Sequence, residues 1–481
     1  MNMADAIKTK KSDDLVGWYN NVVLNSGMMD FSAVKGFPVY KPYGYSIWED
    51  IEAYLDKRFK EIGVKNAYFP LLIPESILSK ESEHIKGFSP EVAWVTRGGD
   101  KDLDEKLAIR PTSETIMYDS YSRWVQSYRD LPLLINQWNT VVRWETKETR
   151  LLLRGREILW QEGHCAFETD TEAENNALSI LGIYKEFMEK VLAVPVFEGK
   201  KSESEKFSGA VTTYTIETII PNNFMIQSAT SHYLGQNFSK PFDIKFVDRS
   251  NQWKYVYQTS WGISMRAMAA MVMVHGDDNG LVLPPAVAPI QVVVIPIIKD
   301  ESGREKILSY SKEVAEKLRK MELRVYLDDR DDQSPGWKFH QYDLIGVPVR
   351  LDVGEREEKS RTVSAKFRFD GSKDTISEKN LIDIADRLAD VQKAMLEKAK
   401  EAISKQIAET IDKKEFIRLL KKDEKVVKAA WCGEPACEGK IHEETGATSR
   451  CIPLAKEKLI SESCIYCGMP AKFNAFFSHT Y

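Results

Sequence analysis

The 481-residue sequence has no long apolar run and only six cysteines. A membrane-spanning helix needs about 20 predominantly apolar residues, and a disulfide-stabilised secreted protein needs cysteines at a much higher density. Residues 1–14 are polar and of mixed charge, so they have neither the apolar centre of a secretion signal nor the acid-poor character of a transit peptide. We therefore expect a cytoplasmic protein with no membrane partner.

The composition is that of a globular protein, with 43% hydrophobic and 29% charged residues. At about 150 residues per domain, the length predicts roughly three domains. The formal net charge of −5 neither favours nor excludes a nucleic-acid partner, because a basic track can lie on an otherwise acidic surface.

The first predicted domain covers residues 1–285 and is of the α+β class. Apolar residues at helical spacing alternate there with short β-branched and aromatic runs. The patterns predict a helix at 47–62, strands at 68–73 and 132–144, and a buried helix at 267–274. Two consecutive prolines, Pro284 and Pro285, then break the pattern and mark the start of a new domain.

The second predicted domain, residues 286–394, is of the α/β class. Strand and helix patterns alternate regularly, as in βαβ units with a largely parallel sheet. They predict strands at 290–298, 323–327 and 347–353 and helices at 305–321 and 337–345. A charged stretch without proline or glycine, residues 383–422, predicts one long helix. It leads into residues 395–481, a third, small α+β domain that contains four of the cysteines.

The most informative stretch is a pair of strand-like runs joined by a basic loop. Arg143 and Glu145 end the first run, Arg154 lies in the loop, and residues 157–162 form the second run. A nucleoside triphosphate on an antiparallel sheet needs an arginine at its α-phosphate, a carboxylate at its adenine amine and further cations at its outer phosphates. These residues can supply those groups, although an Arg-x-Glu pair by itself is more often a surface ion pair.

Because the pair occurs together with the basic loop and a second strand, the stretch resembles motif 2 of the class II aminoacyl-tRNA synthetases. Residues 262–267, which include Ser264 and Arg266, resemble motif 3, in which a helix presents an arginine to the γ-phosphate. Residues 47–62, with the strand that closes near Phe69, resemble motif 1, which forms the dimer interface in that family. The resemblance implies an antiparallel class II catalytic domain and a homodimer.

Other segments indicate the amino acid. Residues 110–114 resemble the Thr-x-Glu loop with which class IIa enzymes hold the amino group of their substrate. Residues 160–164, 207–209, 227–239 and 275–277 resemble the prolyl enzymes of the archaeal and eukaryotic type. The resemblance therefore implies attachment of L-proline to tRNA(Pro), with ATP as a substrate, through a prolyl-adenylate and with release of pyrophosphate and AMP.

The same resemblance implies two overlapping sets of contacts. The proline set is Thr112, Glu114, Arg143, Trp160, Glu162, His164, Phe207 and His232. The ATP set is Arg143, Glu145, Arg154, Gln227, Thr230, Ser264 and Arg266. Arg143 and Arg266 are the expected catalytic residues, and Gln227 is also expected to position Mg²⁺. No protein nucleophile is required, since such catalysis consists of positioning and charge stabilisation.

The second domain resembles the anticodon-binding domain of class IIa synthetases. Single-stranded bases are recognised by stacking and by hydrogen bonds to their edges, so Arg330, Lys338, Phe339 and Arg350 are predicted contacts. Residues 341–343 depart from the acidic, tryptophan-containing form of the family.

The third predicted domain, residues 395–481, is the tail of the chain. It carries two cysteine pairs, Cys432 with Cys437 and Cys464 with Cys467. Four thiolates can close a tetrahedral site, and a closed site of this kind predicts a structural Zn²⁺ with no catalytic role. The family resemblance extends to the C-terminal Tyr481, whose carboxylate is then expected near the active site.

Two alternatives remain open at this point. One is another class IIa enzyme specific for threonine or glycine, and the other is a synthetase paralogue that binds RNA without catalysis. The paralogue should lack the arginines that are present here at 143, 154 and 266. Only 103 residues separate Glu162 from Arg266, which leaves no room for the large editing domain that bacterial-type prolyl enzymes insert there.

Overall fold

The structure is a computed structural model that describes residues 7–84, 91–422 and 425–480. The helices are α1 (Leu15–Asn25), α2 (Pro42–Glu61), α3 (Glu75–His84), α4 (Glu114–Trp124), α5 (Asp170–Glu186), α6 (Arg266–His275), α7 (Arg304–Arg319), α8 (Pro335–Leu344), α9 (Glu355–Ser360), α10 (Ile382–Ser404), α11 (Lys413–Lys421) and α12 (Pro435–Thr445). The strands before residue 240 are β1 (Met29–Phe31), β2 (Pro38–Tyr40), β3 (Lys65–Asn66), β4 (Leu72–Pro74), β5 (Trp94–Gly98), β6 (Lys101–Ile109), β7 (Leu133–Val142), β8 (Glu157–Phe167), β9 (Phe197–Lys200), β10 (Thr212–Ile220) and β11 (Phe224–Gly235). The later strands are β12 (Lys245–Val247), β13 (Trp253–Tyr255), β14 (Tyr257–Ser264), β15 (Val292–Pro296), β16 (Val325–Leu327), β17 (Val349–Val353), β18 (Thr362–Phe367), β19 (Lys373–Ser377), β20 (Ile407–Glu409), β21 (Val426–Trp431), β22 (Thr448–Pro453) and β23 (Phe473–Ser478).

A large sheet organises the first part of the chain, and its central strands run antiparallel in the order β9-β10-β11-β14-β8-β7. The helices α5 and α6 pack against it over a core of aliphatic and aromatic side chains. The predicted pair of strands around the basic loop is confirmed as β7 and β8. Their register sets Asn139 opposite Trp160 and Gln137 opposite Glu162, which places polar side chains of both strands on one face.

The strand predicted at 68–73 is wrong over most of its length, because β3 ends at Asn66 and β4 begins only at Leu72. The side chain of Arg110 donates to the carbonyl oxygen of Phe69 at 2.8 Å, and Gln137 accepts from the amide of Phe69. These backbone groups are therefore satisfied by side chains instead of a neighbouring strand. Pro70 lacks the amide hydrogen that a strand pairing there would use.

The predicted α/β domain is present as a five-stranded sheet in the order β16-β15-β17-β18-β19. The first three strands are parallel, as the alternation of strands and helices predicts, whereas β18 and β19 are added antiparallel. Valines and leucines of β15 and β17 form its core with α7. Arg368 donates to both carboxylate oxygens of Asp277, at 2.7 and 2.5 Å, and so joins this domain to the end of the first.

The single helix predicted at 383–422 is also wrong. The helix α10 ends at Ser404, and α11 begins only at Lys413, where Asp412 caps it by accepting from the amide of Glu415. The strand β20 lies between them because it pairs with β21, and this long-range pairing overrides local helix propensity.

The tail is not an isolated module. Its strands, in the order β20-β21-β23-β22, continue the large sheet because β22 pairs antiparallel with β9. Throughout the three described ranges, every helix is too short or too polar to traverse a bilayer.

Candidate active site

A cavity of about 230 Å³ opens on the polar face of the antiparallel sheet. Its walls come from the turn before α4, the strands β8, β11 and β14, and the loop between β9 and β10. The whole predicted proline set lines it: Thr112, Glu114, Arg143, Trp160, Glu162, His164, Phe207 and His232. Four further members of the predicted ATP set line it as well: Gln227, Thr230, Ser264 and Arg266.

Glu162 is the best-connected side chain of the cavity. It accepts hydrogen bonds from the amide and hydroxyl of Ser113, from Nδ2 of Asn139 at 2.7 Å and from Nε2 of Gln137 at 3.4 Å. Burial alone would raise the pKa of this carboxyl, but His164 and the other donors lower the pKa to about 2. Glu162 is therefore a fixed anion beneath the cavity.

His164 and Glu114 extend this buried charge cluster. The ring of His164 contacts Glu162 through Nε2 at 3.1 Å and the hydroxyl of Tyr118 through Nδ1 at 3.2 Å. Burial would lower the pKa of His164, but Glu114 and Glu162 together raise it above its ordinary value. Two acidic side chains thus face one imidazole, an arrangement that suits a cationic ligand.

Ligand atoms of Glu114, Glu162 and His164 lie within 4.8 Å of one another, as in a metal site. The oxygens of Glu162 and both ring nitrogens of His164 are already engaged by the contacts above, and Glu114 accepts from the hydroxyl of Thr112. The cluster is therefore a satisfied hydrogen-bond network.

Another part of the cavity lining is aromatic and neutral. Phe207 lies 4.7 Å from the ring of His232, measured between ring centroids, and Nδ1 of His232 contacts the hydroxyl of Thr213 at 3.0 Å. Burial, followed by the nearby His164, lowers the pKa of His232 to about 3, so this ring stays uncharged at neutral pH. The wall suits a small apolar ring.

Arg143 and Trp160 line the cavity and contact each other. The guanidinium of Arg143 lies over the indole of Trp160 at 5.3 Å, and Nε of Arg143 donates to the carbonyl oxygen of Pro111 at 3.4 Å. The indole NH donates to Oδ1 of Asn139 at 2.6 Å. An arginine held by stacking presents its remaining donors in a fixed direction, as phosphate or carboxylate recognition requires.

Arg266 is the first residue of α6 and also lines the cavity. It donates to the carbonyl oxygens of Leu153 at 3.2 Å and Gln227 at 3.3 Å. Burial, followed by repulsion from Arg143, lowers the pKa of Arg266 to about 10, so the guanidinium stays charged at neutral pH. Two convergent arginines in one cavity favour a polyanionic ligand.

Two predicted ATP ligands lie outside this cavity. Arg154 lines a second cavity of about 300 Å³, which shares Ser264 and Arg266 with the first. Its loop is closed by two backbone hydrogen bonds between Arg150 and Arg154. Glu145 is exposed and lines neither of these two cavities.

Sequence reasoning missed the residues that support this site. Ser113, Gln137 and Asn139 hold Glu162, Tyr118 holds His164, and Thr213 holds His232. Of these residues, only Gln137 and Asn139 could have been predicted from the sequence. Two polar residues at strand spacing in an apolar run predict a polar buried face.

The predicted anticodon contacts lie in the second domain and are partly engaged there. Lys338 is buried and donates to the carbonyl oxygens of Asp328 at 3.0 Å and Arg330 at 2.6 Å. Arg330 donates twice to the carboxylate of Asp328, and Arg350 lies 3.6 Å over the ring of Phe339 while it pairs with Asp352.

The four predicted metal ligands come together in the tail. The Sγ atoms of Cys432 and Cys467 are 3.6 Å apart, those of Cys437 and Cys464 are 3.8 Å apart, and all four lie within 4.8 Å of one another. Sulfurs bound at 2.3 Å around one tetrahedral ion are separated by about 3.8 Å. The cluster can therefore hold a metal ion such as zinc. Tyr481 lies outside the described residues.

Comparisons with known proteins agree with this architecture. Residues 94–275 match the tRNA synthetase class II core domain (G, H, P, S and T), and residues 291–388 match the anticodon binding domain. Residues 413–481 match the prolyl-tRNA synthetase C-terminal domain. The predicted fold class is thereby confirmed.

Full-length relatives and a solved structure extend the match over the chain. The proline–tRNA ligase of Acetoanaerobium sticklandii is 49% identical over 474 residues and that of Ruminiclostridium cellulolyticum 48% identical over 477, with 98% of each chain covered. The crystal structure of the prolyl-tRNA synthetase of Cryptosporidium parvum, complexed with halofuginone and AMPPNP, is 40% identical, has a TM-score of 0.94 and covers 99% of both chains. By these similarities, the chain belongs to the prolyl-tRNA synthetases, which are ligases.

Proposed function

We propose that this chain attaches L-proline to tRNA(Pro) in two steps, through a prolyl-adenylate. One observation carries the proposal: an anionic pocket with an aromatic wall and a pair of convergent arginines share one cavity. The first half suits a small cationic ring and the second a polyphosphate. The curated relatives, which are proline–tRNA ligases, support the same reaction.

Proline is proposed to bind with its ring nitrogen toward Thr112, Glu114 and Glu162. Its protonated amine would complement the acidic side chains of Glu114 and Glu162. Its ring would lie near Phe207 and His232, where burial of apolar surface contributes about 25 cal/mol per Å².

ATP is proposed to lie along Arg143 and Arg266, with its outer phosphates toward Arg154. The AMPPNP of the Cryptosporidium complex supports ATP as the nucleotide. The remaining predicted ATP contacts are Glu145, Gln227, Thr230 and Ser264. The amide oxygen of Gln227 is a hard ligand that fits Mg²⁺, which when bound would neutralise phosphate charge.

Catalysis then follows from position and charge. The proline carboxylate attacks the α-phosphorus of ATP, and Arg143 stabilises the charge that develops on this phosphate while Arg266 retains the pyrophosphate. In the second step, a terminal ribose hydroxyl of the tRNA attacks the adenylate carbonyl, which releases AMP. The 3.1 Å contact between His164 and Glu162 holds both side chains in place throughout.

The domain boundaries are proposed at 1–285 for the catalytic domain, 286–394 for the anticodon-binding domain and 395–481 for the zinc-binding domain. Arg330, Lys338, Phe339 and Arg350 remain the proposed anticodon contacts. A structural Zn²⁺ is proposed on Cys432, Cys437, Cys464 and Cys467.

We further propose a cytoplasmic homodimer of the archaeal and eukaryotic type that has no editing insertion. The short segment between Glu162 and Arg266 supports the missing insertion, and measurable hydrolysis of alanyl-tRNA(Pro) by the pure chain would contradict it. The exposed aromatic residues Tyr68 and Trp124 beside the motif 1 region support the dimer.

The proposed reaction is tested by ATP–pyrophosphate exchange with each of the 20 amino acids in turn. We expect proline-dependent exchange that falls by about 100-fold or more in Arg143→Ala, the effect of losing one preorganised donor to the transition state. Arg156→Ala is the matched control, because Arg156 also stacks on a tryptophan, Trp144 at 4.4 Å, but does not line the cavity. Exchange with a different amino acid alone, or with none, would refute the proposal.

A further inference from the structure

The tail approaches the active site through β22. This strand pairs with β9, with Ile452 opposite Lys200 and Pro453 opposite Gly199. A Cβ atom on Gly199 would lie 2.3 Å from Sγ of Cys451 and 2.4 Å from the carbonyl oxygen of Ile452, so only glycine permits this close pairing. The contact brings Arg450, the residue before Cys451, against the catalytic sheet.

Arg450 belongs to a buried charge cluster that spans two of the predicted domains. The side chains of Glu217, Lys201 and Arg450 are 0%, 2% and 7% exposed. Lys201 Nζ lies 2.5 Å from Oε1 of Glu217 and 3.0 Å from the carbonyl oxygen of Arg450, and Nη2 of Arg450 lies 3.2 Å from Oε2 of Glu217. Removing one partner from such a buried cluster leaves uncompensated charge.

The cluster is connected to Gln227 and Arg266, which form the ATP side of the cavity. In the pairing of β10 with β11, Glu217 lies opposite Gln227, at an irregularity in the register. The carbonyl oxygen of Gln227 accepts from Nη1 of Arg266 at 3.3 Å. Burial would raise the pKa of Glu217, but Lys201 and Arg450 lower it, so the group next to Gln227 is a fixed anion.

The guanidinium of Arg450 also reaches the loop before Phe207, on the proline side of the cavity. Nη1 of Arg450 lies 3.7 Å from Oε2 of Glu205, which lines the cavity two residues before Phe207. The loop between β9 and β10 has a second contact with the tail, because Glu438 accepts from the hydroxyls of Ser202 at 3.1 Å and Ser449. The loop that carries the aromatic wall is thus tied to the tail at two points.

We propose that Arg450 is a positioning residue for amino-acid activation, which holds Glu217 on the ATP side and Glu205 on the proline side at a fixed spacing. The tail is then part of the catalytic apparatus through this arginine. The inference rests on the proposed function and deepens it.

The test uses Arg450→Met and Arg450→Lys in the full chain, with pyrophosphate exchange measured against ATP and against proline. We expect Arg450→Met to raise both KM values about tenfold, as for a lost hydrogen bond to a charged group, and Arg450→Lys to recover part of the loss. Lys428→Met is the matched control. It removes another cation of the tail sheet, paired with Glu457 at 2.6 Å, so it should change thermal stability without changing either KM.

Binding of AMPPNP by calorimetry separates this inference from the proposed function. If the unsubstituted chain shows no proline-dependent exchange, the function fails, and a tenfold weaker AMPPNP affinity in Arg450→Met still supports the inference. If the KM and Kd values of Arg450→Met lie within twofold of those of the unsubstituted chain, the inference is overturned. If Arg450→Met does not fold, Glu205→Gln replaces it: a KM for proline raised about threefold supports the proposal, and an unchanged one overturns it.

Discussion

Nε2 of His164 lies 3.1 Å from Oε2 of Glu162, and both side chains are buried under the cavity. Because Glu162 also accepts from Ser113 and Asn139, the carboxylate is fixed by several donors at once. The ring of His164 therefore supports Glu162 and is held at both nitrogens.

The charge state of His164 predicts the sign of a pH effect on stability. Its pKa is raised above the ordinary value of 6.5, so its stabilising contribution is complete below pH 6.5 and is lost as the pH rises through the raised pKa. We expect the difference in thermal midpoint between the unsubstituted chain and His164→Gln to be larger at pH 6 than at pH 9. Melting curves of both proteins across this range measure it.

His232 provides an internal control of opposite sign. Its pKa is lowered to about 3, so its contribution is complete above pH 6.5 and is lost as the pH falls from 6.5 toward 3. The midpoint difference for His232→Gln should therefore shrink between pH 7 and pH 5. Slopes of the same sign for both variants would contradict these charge assignments.

The contrast between these residues and their supports shows what the sequence can predict. His164, Glu162 and Arg143 lie in short motifs whose chemistry is visible in one segment of the chain. Asn139 supports Glu162 only because of the register between β7 and β8, and Arg450 reaches Glu217 only because β22 pairs with β9. Such contacts join distant segments, so a local pattern predicts the polar face of β7 but not the partner of Asn139 or of Arg450.

Gly163 is predicted to be required by the packing of β8 against β14. A Cβ atom there would lie 2.2 Å from the buried indole of Trp261, which cannot move freely. We expect Gly163→Ala to destabilise the chain by about 1–3 kcal/mol, the usual cost of overpacking a core. Gly182→Ala is the control: this exposed position in α5 has free space around it, so alanine should stabilise the helix by about 0.5–1 kcal/mol. Denaturant melts measure both, and equal effects would refute the packing argument.

The four-cysteine cluster predicts metal-dependent stability. Four thiolates this close together repel one another, and only a bound cation would favour them at this spacing. We expect about one zinc per chain by mass spectrometry of the purified protein, and a loss of both metal and thermal stability in Cys464→Ser. Cys165→Ala should retain the metal, because Cys165 lies outside the cluster. Full metal content in Cys464→Ser would exclude this site.

The region after α2 predicts how two copies of the chain associate. Tyr68 is 73% exposed, and the exposed Trp124 lies 5.6 Å from the ring of Phe69. Large exposed aromatic side chains are enriched at protein interfaces. Charge placed there should prevent pairing, so we expect Tyr68→Glu to sediment as a monomer while the unsubstituted chain sediments as a dimer.

Trp253→Glu is the matched control, since Trp253 is 56% exposed on the separate hairpin β12–β13. A dimer that persists in Tyr68→Glu, or one that dissociates equally in Trp253→Glu, would place the interface elsewhere.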